Sequence, residues 1–90
     1  MKPGEMTRVI ELLAEAKTHW LIGSHTLAGS DAREREAKAL RTSLDVAMKY
    51  IDSIGGRNVL PSHLAVALRV CEMGLEVLEG SRDLGYDSDA

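Results

Sequence analysis

Residues 60–78 read LPSHLAVALRVCEMGLEVL, and the spacing of their apolar side chains decides how the rest of the chain is read. Leu64, Leu68, Cys71, Leu75 and Leu78 advance by four and three residues, which lines them along one face of an α-helix. Val66, Val70, Met73 and Val77 advance in the same way and form a second face, roughly 150–200° around the axis at about 100° per residue. Arg69, Glu72, Glu76 and Glu79 make a narrow polar strip. A helix that is apolar around most of its circumference has to be covered on two sides.

Two further helices are available to do the covering. The first is expected from about residue 5 to residue 22, with Met6, Val9, Ile10, Leu13, Ala16, Trp20 and Leu21 on one arc and Leu12 at its edge. Arg8, Glu11, Glu15, Thr18 and His19 fall opposite. Pro3 suits a first helical turn, where the missing N–H would be unpaired anyway, and Gly23 is a natural stop. The second helix is expected over 31–54. Ser30 or Asp31 is the candidate cap, and Asp31 with Glu34 has capping-box spacing. Its apolar stripe is Ala37, Leu40, Leu44, Ala47, Ile51 and Ile54, flanked by Val46 and Tyr50. Gly55-Gly56 can close it in the left-handed conformation.

The third helix is expected over 61–79, opened by Pro61 or Ser62 and closed by Gly80. Residues 81–90 read as a short acidic tail in which Leu84 and Tyr86 could tack the chain to the body. Residues 1–80 therefore form one all-α domain, a three-helix up-down-up bundle with antiparallel neighbours across short connections. A triangular core takes one stripe from each helix, so the second stripe of the third helix is left over. It is either sandwiched because that helix sits between the other two, or it is completed by dimerisation or partner docking. The second arrangement is the one expected. Fully exposing those side chains forgoes roughly 1.5–3 kcal/mol for each large one, and a patch of that kind marks interaction sites. Gly74 supports this, because a glycine costs about 1 kcal/mol inside a helix unless something approaches closely there. The expected interaction surface is Val66, Val70, Met73, Gly74 and Val77.

A charged group is expected to accompany it. Lys17 falls within the apolar arc of the first helix, while Arg33 and Glu36 fall on the apolar side of the second. A snorkelling Lys17 is one reading, and a Lys17–Glu36 bridge the other. The start of the second helix, Arg33-Glu34-Arg35-Glu36, reads as a solvated, self-paired run, with Arg33, Arg35, Glu36 and Lys17 as candidate contacts to a partner.

Composition narrows the chemistry. The chain has 90 residues, a net charge of −3 and 28% charged residues, without the basic excess of most nucleic-acid binders. A helix-turn-helix reading with Arg57, Asn58, Ser62, His63 and Arg69 facing DNA would need a less apolar third helix. The single cysteine, Cys71, excludes an intrachain disulfide and reads as a small core residue. His19, His25, His63 and Cys71 lack the paired short spacings of zinc sites, so no metal and no cofactor is expected. The segment Gly23–Ser30 has five residues between its glycines and no lysine after them, unlike a phosphate-binding loop. Ser24 and His25 are adjacent, which sets no base on a nucleophile. No run reaches the ~18 apolar residues of a membrane span, and the first six residues lack the apolar core of a secretory signal. The expectation is a cytoplasmic, non-enzymatic protein that binds itself, another protein or both, as an adaptor, assembly factor or inhibitor. Virus- or mobile-element-encoded inhibitors of host systems share this general character. The alternative is a small transcription-related or nucleic-acid-associated regulator.

Overall fold

The computed structural model describes the backbone of residues 1–87 and the side chains of residues 1–80. Three helices, α1 (Pro3–Ser24), α2 (Asp31–Ser53) and α3 (Ser62–Asp87), pack against one another as a three-helix bundle. A single 3₁₀ turn, Arg57–Val59, joins α2 to α3.

The ends of the helices follow from local chemistry. At α1 the Lys2 N–H donates to Glu5 Oε1 at 3.0 Å, satisfying one of the donors that the first turn leaves unpaired. Ser30 is the cap of α2, its hydroxyl accepting from the Arg33 N–H at 3.2 Å. That position makes Arg33 the third helical residue, so the expected Asp31–Glu34 box is not the one used. After Ile54 the chain turns through Gly55 (φ 126°) and Gly56 (φ 87°), and the Gly56 N–H returns to the Ile51 carbonyl at 2.8 Å. With the Gly55 N–H on the Asp52 carbonyl at 3.4 Å this forms a Schellman closure, which requires the positive φ that glycine takes without strain.

Two expected ends are corrected. Gly23 lies inside α1 and is buried; a Cβ there would sit 2.7 Å from Leu78 Cδ1 and 3.2 Å from Glu36 Cβ. Its role is to let three helices close together, more than to stop one. Gly80 does not end α3, which continues to Asp87. A lone glycine costs about 1 kcal/mol in a helix interior, too little to terminate one by itself. Residues 88–90 of the expected tail lie outside the described residues, and so do the side chains of Leu84 and Tyr86.

The core is built from one stripe per helix. It comprises Val9, Leu12, Leu13 and Ala16 of α1; Ala37, Leu40, Leu44, Ala47 and Ile51 of α2; and Leu64, Leu68, Cys71 and Leu78 of α3, with Trp20 and Leu75 packed against it. The stripe of α2 matches the expected one, with Ile54 half-buried at its end. That of α1 does not. Leu12 is core, whereas Ile10 and Leu21 are turned outward. Both α2 and α3 pack on α1, and its buried arc is centred on Val9 and Ala16, which brings Leu12 in and carries Ile10 out.

Candidate interaction face on α1 and α3

Helices α1 and α3 run in the same direction, since Leu13 lies beside Cys71, Trp20 beside Gly74 and Gly23 beside Leu78. Between them an open groove of about 290 Å³ is lined by Ile10, Leu13, Ala14, Lys17, Leu64, Ala67, Val70 and Cys71. Only Lys17 among these carries a charge. On the outer side of the groove the second stripe of α3 stands in solvent. Val66 is 61% exposed, Val70 39%, Met73 50% and Val77 55%. Sandwiching of α3 between α1 and α2 is thereby excluded within one chain. Val70 belongs to both the groove and the stripe, so the α3 stripe is continuous with the outward Ile10 of α1.

Gly74 departs from the expectation. It is buried, and a Cβ there would come well under 3.0 Å from the Trp20 indole. The close approach that a mid-helix glycine signals is real, but α1 of the same chain makes it. Gly74 therefore supports the bundle rather than the outer face.

The expected charged group is divided rather than gathered. Glu36 accepts from His19 Nδ1 at 2.9 Å across the α1–α2 seam, both side chains being largely shielded, so of the two readings of Lys17 the bridge to Glu36 is not the one formed. Lys17 stays exposed beside the groove, close enough to Cys71 to favour its thiolate. Burial acts more strongly and pushes the Cys71 thiol above its ordinary range, which disfavours the thiolate at neutral pH. Arg33 is half-buried and donates from Nη1 to the Thr26 carbonyl at 3.1 Å, tying the α1–α2 loop to the start of α2. Arg35 is exposed. Of the four residues, only Lys17 and Arg35 face solvent.

Among the described side chains two ion pairs join α3 to the rest of the chain, and neither follows from periodicity. Arg41 of α2 grips Glu79 through Nε at 2.9 Å and Nη2 at 2.6 Å, and this bonding holds its guanidinium pKa above the usual value. Arg57 in the 3₁₀ turn pairs with Glu72 by both terminal nitrogens, which likewise raises its pKa. Arg57, a candidate DNA contact in the helix-turn-helix reading, is thus occupied within the chain. A second, charged groove of about 440 Å³ lies beside the Arg41–Glu79 pair, lined by Arg33, Glu34, Lys38 and Arg41 among others.

Among the described residues no group of three His, Cys, Asp or Glu side chains is placed to hold a metal ion. No described helix is long and apolar enough to cross a membrane. Comparison with family models, curated proteins and solved structures returned no match.

Proposed function

We propose that this chain is a non-enzymatic protein-binding module, working in a reducing cytoplasm, whose operative surface is the outer face of α3 together with the adjoining groove on α1. One observation supports this above the others: four apolar side chains at helical spacing remain in solvent on a bundle whose core is already complete. Random exposure of single apolar residues is ordinary, but a contiguous row beside an apolar groove is the signature of a contact surface. Its occupant is a second copy of the chain, another protein, or each in turn, which suits an adaptor, an assembly factor or an inhibitor.

The test is site-specific photo-crosslinking in the native cell. Crosslinkers at Val66 and Met73 are expected to trap protein adducts, and crosslinkers at Asp45 and Lys49 on the solvent side of α2 are not. Adducts no more abundant at the stripe than at α2 would reject the reading. Met73→Asp supplies the complement. It is expected to keep the helical circular-dichroism signal and abolish those adducts, because Met73 contributes little to the core.

A further inference from the structure

Val66, Val70, Met73 and Val77 follow a four-three-four spacing, which is the seam of a coiled coil rather than a diffuse patch. Two residues flank that seam on each side. Ala67 and Gly74 flank it toward α1, the first lining the groove and the second lying under Trp20. Arg69 and Glu76, seven residues apart and both exposed, flank it on the side away from α1. Their position in the heptad is the one that meets its own equivalent when two helices pair antiparallel.

Glu72 and Glu79 of the same helix are committed to Arg57 and Arg41. Neither Arg69 nor Glu76 makes a side-chain hydrogen bond or ion pair with a described residue.

We infer that the occupant of the α3 face is a second copy of this chain, paired antiparallel through a two-fold axis passing between residues 71 and 72 of each α3. This rests on the binding role proposed above and specifies its partner. About that axis Val66 lies opposite the partner's Val77, and Val70 opposite the partner's Met73, so large apolar groups meet along the whole seam. Arg69 comes within a turn of the partner's Glu76, and the symmetry forms that attraction twice. In a parallel pair this flank would instead face the opposite one, where Arg69 meets the partner's Gly74, and no charge would be matched. Charge complementarity therefore selects the antiparallel copy. Lys17 stands level with the axis on the α1 side; its exposed ammonium can swing into solvent, where salt screens it from the partner's Lys17.

The experiment exchanges the charges. The wild-type chain, 9.8 kDa as a monomer, should scatter light as a dimer at micromolar concentration after gel filtration. Arg69→Glu leaves two acids in the flank and Glu76→Arg leaves two bases, so each variant should self-associate about tenfold more weakly. Mixed together, the two variants should recover a dimer containing one chain of each kind, weighed by native mass spectrometry. Both positions are exposed, and recovery on mixing guards against a variant that has merely lost stability. Failure of the mixture to recover would overturn the antiparallel pairing, and so would variants that dimerise as well as wild type. A wild-type chain monomeric throughout this range would also overturn it; crosslinks from Val66 and Met73 to another protein would then still uphold the binding role, and their absence would remove both.

Discussion

The two faces of α3 carry almost the same chemistry and live in opposite environments. The inner face, Leu64, Leu68, Cys71, Leu75 and Leu78, is buried or half-buried by α1 and α2. The outer face, Val66, Val70, Met73 and Val77, stands largely in solvent among the described residues, with Val70 at the edge of the α1 groove. Residue types differ in a way that fits the division. Leucines fill the inside, where large flexible side chains interdigitate, while β-branched valines dominate the outside. Exposed valine gains little for a helix, because its χ1 is restricted against the preceding turn. A sequence that needed only a solvated back to α3 would be better served there by alanine, glutamate or lysine. Three valines and a methionine are understandable if that face is covered when the protein works.

Leu68 is the most deeply buried residue of the inner face, at 1% exposure. Leu68→Ala removes methyl groups from a close-packed interior and leaves a cavity, so a loss of about 2–5 kcal/mol is expected by urea denaturation. A loss below about 1 kcal/mol would mean that the inner face is not the core described above.

Gly74 sits on the boundary between the faces and tests the same division with an addition. Alanine is intrinsically better than glycine in a helix by about 1 kcal/mol. Against that, the new methyl collides with the rigid indole of Trp20, and overpacking of this kind costs about 1–3 kcal/mol. Gly74→Ala is therefore expected to destabilise by roughly 1 kcal/mol net. Pairing it with Trp20→Leu should relieve the clash and reveal the helix gain, so the two substitutions should be non-additive in thermal melts. If Gly74→Ala stabilised the wild-type chain, α1 would not approach α3 as it does here.

How much of this could be read from residues alone depends on what sets each feature. The three helices and the whole buried stripe of α2 follow from periodicity, because Ala37, Leu40, Leu44, Ala47 and Ile51 form one unambiguous row. In α1 the apolar arc is wide, and its two edges part in the structure: Leu12, at the edge of the expected arc, goes in, and Ile10, expected within it, stays out. Periodicity gives the angular width of a stripe, but the direction of a neighbouring helix fixes its centre. Gly74 shows the same limit. A close approach was legible from a glycine in mid-helix, whereas the identity of the approaching group was not, since Trp20 lies 54 positions away in sequence. Interhelical partners such as His19 with Glu36 and Arg41 with Glu79 depend on axial alignment, which no spacing within a single helix contains.

Arg33 and Arg35 sit two residues apart at the start of α2 in different surroundings. Read as a sequence they belong to one solvated run, and equal, small effects are expected of both. The structure separates them, because Arg33 bonds the Thr26 carbonyl from a half-buried position and Arg35 projects outward. Arg33→Ala should cost about 1 kcal/mol, the usual net worth of an intramolecular hydrogen bond. Arg35→Ala should stay within about 0.5 kcal/mol, as exposed charges generally do. Equal effects from the two in parallel denaturant titrations would remove the loop anchor from Arg33.

The smallest expected effect carries the sign that matters most. Val77 is more than half exposed in the isolated chain, so Val77→Ala loses little burial and replaces a poor helix former with the best one. At concentrations low enough to keep the chain monomeric, its stability should change by less than about 0.5 kcal/mol, and in the stabilising direction. At high concentration the sign should reverse, because the valine then loses its place in a covered seam and mass action no longer supports the fold as strongly. Leu68→Ala, by contrast, should destabilise to the same extent at every concentration. Melting curves of both variants across a dilution series therefore separate a residue that is buried by folding from one that is buried by association. A Val77→Ala effect that is large and independent of concentration would make the outer face part of the core and erase the distinction between the two sides of α3.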